Sequence, residues 1–455
     1  MDVQELKIQN LWWDQDINVD FHLRKLAEKK YIFNPDIISI QELLQEKSGI
    51  YTLIGPRQIG KTTYLKQLIR ELLLHCPKNN LFYFSCENIT SEKLKEAILF
   101  FMDNIAEKSK HFIFLDEVSL VHGWELIELE LYNKGLLEQT IIINSGSSSV
   151  NLKKSSEKLP GRKGKGKVYY FFPLSFREYV FLIEPKAEEM DKKPLLHLDY
   201  LEKLFRKYIM AGGFPQIINE QAAGSIDDSK YDIYRDWIEG EITKFGRSVN
   251  YAYQILSRVM ESRTSQTNWE SIAKNSTIKS HTTVSDYMNL LDSLFITKTV
   301  SFIGSDLKIR FAKNKKVYFF DHFLLSVVEK SLLKINDYYG YYTDKLTDEA
   351  YLSKIVENIV FSNLIKHIVS RGYSINNTLF YWRSKTQQEI DFMVYVRKKN
   401  AKIIVPLEVK YAHNVSRSNI QTFKPIILSK DYYHDEHKIY PCHLVLFQLD
   451  KFVKI

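Results

Sequence analysis

Residues 49–63, Gly49-Ile-Tyr-Thr-Leu-Ile-Gly55-Pro-Arg-Gln-Ile-Gly60-Lys-Thr-Thr63, set a mostly apolar run directly before the pattern G-x-x-x-x-G-K-[ST]. A short apolar run bounded by glycine reads as a buried strand. From Thr63 to Leu74 apolar residues recur at helical spacing, so the glycine loop falls between a strand and a helix. In that context the loop's backbone N–H groups and the positive end of the helix can hold phosphates. Gly55, Pro56, Arg57, Gln58, Ile59, Gly60, Lys61, Thr62 and Thr63 are therefore candidate nucleotide-binding residues. Lys61 is expected to reach the β- and γ-phosphates, and the Thr62 hydroxyl to join the shell of a Mg²⁺ ion. The cofactors expected are ATP and Mg²⁺.

Working outward, Leu81 to Ser85 predicts a second strand and Ser91 to Ile105 a helix. The run His111-Phe-Ile-Phe-Leu-Asp116-Glu117 predicts a buried parallel strand whose carboxyl end opens on the ligand crevice of an α/β sheet. Asp116 is then a candidate for binding Mg²⁺, and Glu117 for polarising the attacking water. A further strand from Gln139 ends in Asn144 and Ser145, either of which could sense the γ-phosphate. Arg162, in Leu159-Pro-Gly-Arg162, is a candidate for stabilising transition-state charge, in this subunit or a neighbour. It lies in the densest basic segment, residues 151–167, whose default reading is a solvated loop.

A chain of 455 residues exceeds one core and suggests about three units. Its 45% hydrophobic and 26% charged content is that of a folded soluble protein, and no apolar run reaches the roughly 18 residues needed to span a bilayer. The first residues, Met-Asp-Val-Gln-Glu-Leu-Lys, lack the basic-then-apolar pattern of a secretory signal, so a cytoplasmic location without membrane contact is expected. Cys76, Cys86 and Cys442 show no metal-ligand spacing. The net charge of +8 permits a polyanionic partner without demanding one.

Residues 174–250 read as helices around the turn Ala211-Gly-Gly-Phe-Pro215. From Tyr251 to Phe295 three short helices are predicted, followed by strands at Ile296–Val300 and Lys308–Phe311, the pattern of a winged helix-turn-helix. A DNA-binding version would present Lys279, Ser280, His281, Thr282 and Thr283, with Lys308, Arg310, Lys313, Lys315 and Lys316 adding positive charge. Such domains also bind proteins or simply pack.

Farther on, Glu357 opens the predicted helix Asn358–Ile365, Asp391 begins an apolar strand, and Glu408, 17 positions later, ends the next. Hairpin pairing would bring Asp391 and Glu408 together, and alternation puts Glu408 and Lys410 on one face. Glu357, Asp391 and Glu408 could hold Mg²⁺ or Mn²⁺ through oxygen, with Lys410 acting on the water that attacks a phosphodiester.

The series Gly-Pro-Arg-Gln-Ile-Gly-Lys-Thr-Thr, Phe-Leu-Asp-Glu-Val, Ser-Gly-Ser-Ser-Ser, Leu-Pro-Gly-Arg, Phe-Pro-Leu-Ser-Phe-Arg-Glu-Tyr and Gly-Gly-Phe-Pro-Gln resembles the signatures of a prokaryotic AAA+ ATPase family. That family carries a poorly characterised C-terminal domain related to PD-(D/E)XK nucleases. Trp12-Trp13 and His22-Leu-Arg-Lys resemble the arm preceding the ATPase core in its archaeal members. The resemblance implies an α/β fold: an arm (1–48), an AAA+-like P-loop core (49–173), a helical lid (174–250), a winged helix (251–345) and a restriction-endonuclease-like domain (346–455). It also implies that the set Glu357, Asp391, Glu408 and Lys410 is the nuclease-type one. The function expected is Mg²⁺-dependent ATP hydrolysis controlling a nuclease-like, DNA-binding tail. The alternative is a nucleotide-gated scaffold, homo-oligomeric or bound to a protein partner, whose tail binds without cutting.

Overall fold

Each apolar run read between residues 49 and 146 is a strand: β1 (Gly49–Ile54), β2 (Leu81–Ser85), β3 (His111–Asp116) and β4 (Thr140–Gly146). A fifth, β5 (Val168–Tyr170), was not among the expected strands and completes the order β2-β3-β4-β1-β5, parallel throughout. Parallel sheets are covered on both faces, which is why β1 and β4 are buried along their whole length. The computed structural model describes residues 3–147, 166–398, 401–413, 415–416, 420 and 422–455. Arg162 and most of the basic segment lie outside the described residues.

The sheet has an edge at β2, and the N-terminal arm covers it. The Asn10 amide accepts from the Tyr83 N–H at 2.7 Å and donates to the Tyr83 carbonyl at 2.9 Å, as a neighbouring strand would. Gln9 accepts from the Ser85 N–H, while the Trp12 and Trp13 indoles both donate to the Leu81 carbonyl. These side chains satisfy backbone groups that an open edge would leave as a template for aggregation.

By its internal contacts the chain divides into Met1–Phe172, which holds this sheet, and Pro173–Ile455. The second unit has a seven-stranded sheet, and its strands are β6 (Thr297–Phe302), β7 (Lys316–Phe319), β8 (Leu379–Arg383), β9 (Glu389–Lys398), β10 (Ala401–Val409), β11 (Ile426–Ser429) and β12 (Ile439–Pro441). Their order is β12-β11-β10-β9-β8-β6-β7. This sheet takes strands from both sides of the boundary expected at 345/346, because β6 pairs with β8 as well as with β7. The helices of residues 174–250, expected as a lid, belong to the same unit as this sheet.

The three helices of the expected helix-turn-helix form at Val249–Ser262, Trp269–Lys274 and His281–Ser293. The second hairpin strand differs from expectation. Lys308–Phe311 alternates charged and apolar residues and leaves Phe311 exposed, whereas Lys316-Val-Tyr-Phe319 is buried throughout and forms β7. A second correction concerns the helix bearing Glu357. It runs Glu349–Ser370, started by Asp348, whose side chain accepts from the N–H groups of Ala350 and Tyr351. Glu357 thus sits mid-helix.

Asn358, next on this helix, repeats the Asn10 device at the edge strand β7. Its amide accepts from the Phe319 N–H at 2.8 Å and donates to the Phe319 carbonyl at 3.0 Å. Among the described residues no helix is long and apolar enough to cross a membrane, and the three cysteines are free thiols.

Candidate active site

The loop after β1 turns sharply into helix Lys61–Leu72, and two of its glycines have separate physical reasons. At Gly55 a Cβ would lie 2.2 Å from the Phe171 carbonyl oxygen, so only a bare backbone passes there. At Gly60 there is room, but φ is +102°, a left-handed conformation that glycine adopts without strain. Gln58 also has positive φ.

Lys61, 4% exposed, donates to the carbonyls of Gly55 and Pro56 at 3.1 Å each and pairs with Glu117 at 3.2 Å. Thr62 Oγ1 donates to Asp116 Oδ2 at 2.6 Å, although 54 positions separate them. The Asp116 carboxylate accepts two further hydroxyls, from Tyr83 at 2.8 Å and from Ser145. Strand order explains the meeting. β4 lies between β1 and β3, so the carboxyl ends of all three open on one side of the sheet.

Glu117 follows β3 with φ of 52°, a left-handed conformation uncommon outside glycine and enriched at functional sites. Its N–H donates to Ser145 Oγ at 3.0 Å, and its carboxylate accepts from the Ser147 N–H at 3.1 Å. Burial pushes this carboxyl up, but the Lys61 and Arg57 charges and the Ser147 bond outweigh it and hold the group below its ordinary range.

Asn144 is buried and donates to Glu128 at 2.7 Å, while Ser145 joins the two acids directly. Pro56, Ile59 and Thr63 shape the loop and first helical turn, and Arg57 pairs with Glu87.

These residues fit a magnesium nucleotide. The loop is built so that backbone approaches without a side chain, a buried ammonium stands at its mouth, and a hydroxyl and a carboxylate converge at hydrogen-bond distance. The alternation of Leu81-Phe-Tyr83 was the available signal for Tyr83, which sequence reading missed.

The nuclease-type set assembles differently. The β9–β10 hairpin forms as expected, with Phe392 opposite Leu407 and the Asp391 carboxylate accepting from the Val409 N–H at 2.9 Å. Glu357 and Asp391 come together, but on an ammonium from β7: Lys316 lies 3.2 Å from Glu357, 2.8 Å from Asp391 and 2.5 Å from Glu389. Lys316 is 1% exposed. It therefore cannot serve as the surface phosphate contact expected of it.

Tyr318 also donates to Glu357, at 2.7 Å. Glu408 and Lys410 pair with each other at 3.2 Å. Burial and the neighbouring Asp391 push the Glu357 carboxyl up to about 7, against the pull of Lys316 and Tyr318. Burial opposes the Lys316 charge, yet Asp391, Tyr318, Glu357 and Glu389 together raise its pKa well above the ordinary lysine value.

Among the described residues, no group of three or more His, Cys, Asp and Glu side chains is arranged to hold a metal ion. In this arrangement the acids of the second set do not fit a divalent ion, because an ammonium already stands between them.

Comparison with known proteins bears mainly on the first site. Residues 47–180 match the family model of an AAA domain. Residues 202–337 and 352–448 match models described as domains of unknown function, DUF8612 and DUF4143. The uncharacterized protein MJ1637 of Methanocaldococcus jannaschii is 24% identical over 388 residues, covering 78% of this chain and 74% of the relative. Among solved structures, the Walker-type ATPase PABY2304 of Pyrococcus abyssi is similar at 15% identity with a TM-score of 0.42, over 64% of this chain and 93% of the other. The RuvB Holliday junction branch migration motor of Thermotoga maritima is similar at 16% identity with a TM-score of 0.32, over 61% of this chain and 88% of the other. By the family match, residues 47–180 are an AAA-type domain built on the P-loop described above.

Proposed function

We propose that the protein is a Mg²⁺-dependent ATPase whose nucleotide state sets how residues 173–455 engage a partner. The observation that carries the ATPase reading is the convergence of Thr62 Oγ1 on Asp116 Oδ2 beside the Lys61–Glu117 pair. The loop N–H groups from Gly55 to Thr62 would hold the phosphates, with Lys61 moving its charge from Glu117 to them. Thr62 and Asp116 would hold Mg²⁺, Asp116 through water. Bound Mg²⁺ supplies neutralisation of the charge that develops on the phosphate oxygens. Glu117, no longer paired with Lys61, would orient and deprotonate water. Asn144 or Ser145 would report on the γ-phosphate, and Arg162 would supply a further cation. Equilibrium binding of a fluorescent ATP analogue tests this reading: wild type should bind it in a Mg²⁺-dependent manner and Lys61→Ala should not. Equal binding by both would refute it.

For the tail we favour engagement without cutting, because the Lys316 ammonium stands between Glu357 and Asp391. The winged-helix reading supplies the contact surface. Lys279, His281 and Thr282 are exposed at the start of helix His281–Ser293 and would meet DNA or a protein partner. Incubation with single- and double-stranded DNA and RNA in Mg²⁺ or Mn²⁺ decides this point. Cleavage that Asp391→Ala abolishes would restore the nuclease reading.

A further inference from the structure

Lys316 opens β7, and alternation along Lys316-Val-Tyr318 sends Lys316 and Tyr318 to the same face of the strand. That face meets Glu357 on helix Glu349–Ser370 and, three strands away in the order of the sheet, Glu389 and Asp391 on β9. Glu389 and Asp391 are themselves two residues apart on one strand, hence on one face. A single ammonium with three N–H donors is therefore matched to three carboxylates from two elements, and Tyr318 adds a hydroxyl to Glu357. Two further carboxylate oxygens of the cluster are engaged as well: Asp391 Oδ2 takes the Val409 N–H, and Glu389 Oε2 takes the Gln266 amide at 3.0 Å.

Such a cluster is costly to open. An ammonium out of water is stable only while its counter-charges surround it, and carboxylates gathered at this spacing repel one another once the cation leaves. A divalent ion seeking oxygens of Glu357 and Asp391 would have to displace a cation covalently fixed to the fold, at a site where that cation is 1% exposed.

We propose that Lys316 is the resident counter-ion of this cluster and excludes divalent metal from it, so that the C-terminal unit engages its partner without metal-dependent hydrolysis. This inference rests on the nuclease-like reading of the tail for the identity of the residues and is independent of the ATPase reading. Its device is a lysine on β7 serving the charge-balancing role that a metal would serve.

Mn²⁺ titrated into nucleotide-free protein and followed by electron paramagnetic resonance tests it. Any Mn²⁺ held near Asp116 is common to all the variants and subtracts out, so failure of the ATPase reading leaves the comparison intact. Wild type and Asp391→Asn should give the same isotherm. Lys316→Met should take up an additional Mn²⁺ per chain, and Lys316→Met/Asp391→Asn should lose it again. Mn²⁺ uptake by wild type that Asp391→Asn removes would overturn the proposal, as would a folded Lys316→Met that gains none. Should Lys316→Met fail to fold, thermal melting of Lys316→Met/Glu357→Gln decides. Charge balance predicts recovery of a cooperative transition near that of wild type, and no recovery would overturn the role assigned to Lys316.

Discussion

Replacing Glu117 by Gln separates holding ATP from hydrolysing it. The substitution keeps the shape of the side chain and an oxygen that can accept the Ser147 N–H, which now lies 3.1 Å from Glu117 Oε2. It removes the negative charge 3.2 Å from Lys61 and the only function that needs it, activation of water. Loss of a positioned general base costs about 10²- to 10⁴-fold in turnover. At 1.36 kcal/mol per tenfold, that range is about 3–5 kcal/mol of transition-state stabilisation. ATP affinity should hold or rise, since Lys61 no longer has to leave a counter-charge to reach phosphate. Steady-state phosphate release measures the first quantity, and equilibrium fluorescence with an ATP analogue the second. The reasoning fails if folded Glu117→Gln turns over ATP at nearly the wild-type rate. It also fails if binding and turnover fall in parallel, which would make Glu117 part of the binding cradle.

Other expectations follow from single contacts. Tyr83→Phe removes one of three hydroxyls on Asp116 and should raise the Mg²⁺ concentration needed for half-maximal turnover while leaving ATP affinity at saturating Mg²⁺ unchanged; an unaltered Mg²⁺ dependence would count against the positioning of Asp116 by Tyr83. Asn358→Ala leaves the Phe319 N–H and carbonyl on the β7 edge without their partner, and at about 1–3 kcal/mol for each unsatisfied group should lower the melting temperature measurably; an unchanged melting curve would show that this edge is covered in another way. Among the described residues His443 is buried without a hydrogen-bond partner at either ring nitrogen, and burial lowers its pKa to about 4. At His443 the unfolded chain therefore holds a proton between about pH 4 and 6.5 that the native state has released, so this group makes stability rise with pH through that window, by up to about 3 kcal/mol, while Glu357, pushed up to about 7, contributes the opposite slope. Denaturant unfolding at several pH values should show a dependence more positive in wild type than in His443→Phe over this window, the difference being the His443 contribution; identical slopes would refute the assignment.

The first site was legible because its parts are contiguous in sequence. A strand, a six-residue loop and a helix stand in order from Gly49, and Asp116 and Glu117 close the next strong apolar run but one. The motifs assigned both Thr62 and Asp116 to Mg²⁺, but not the strand order that brings them together, β4 entering between β1 and β3. The β9–β10 hairpin was equally readable from two apolar runs and a polar turn. Lys316 was not, because Lys313-Asn-Lys-Lys316 looks like surface. The signal lay on its other side, where Val-Tyr-Phe-Phe leaves no exposed face for the residue that opens the strand. Glu389 was overlooked for want of the same parity argument, being two residues before Asp391. Asn10 and Asn358 carry no sequence signal as edge covers, because their partners are backbone groups of strands 73 and 39 positions away.

Phosphate release from ATP by wild type and Lys61→Ala, with and without Mg²⁺, tests the central claim most directly. The account predicts Mg²⁺-dependent turnover by wild type and loss of that turnover in Lys61→Ala, whose fold is confirmed by an unchanged circular dichroism spectrum. Normal turnover by Lys61→Ala, or hydrolysis indifferent to Mg²⁺, would contradict it.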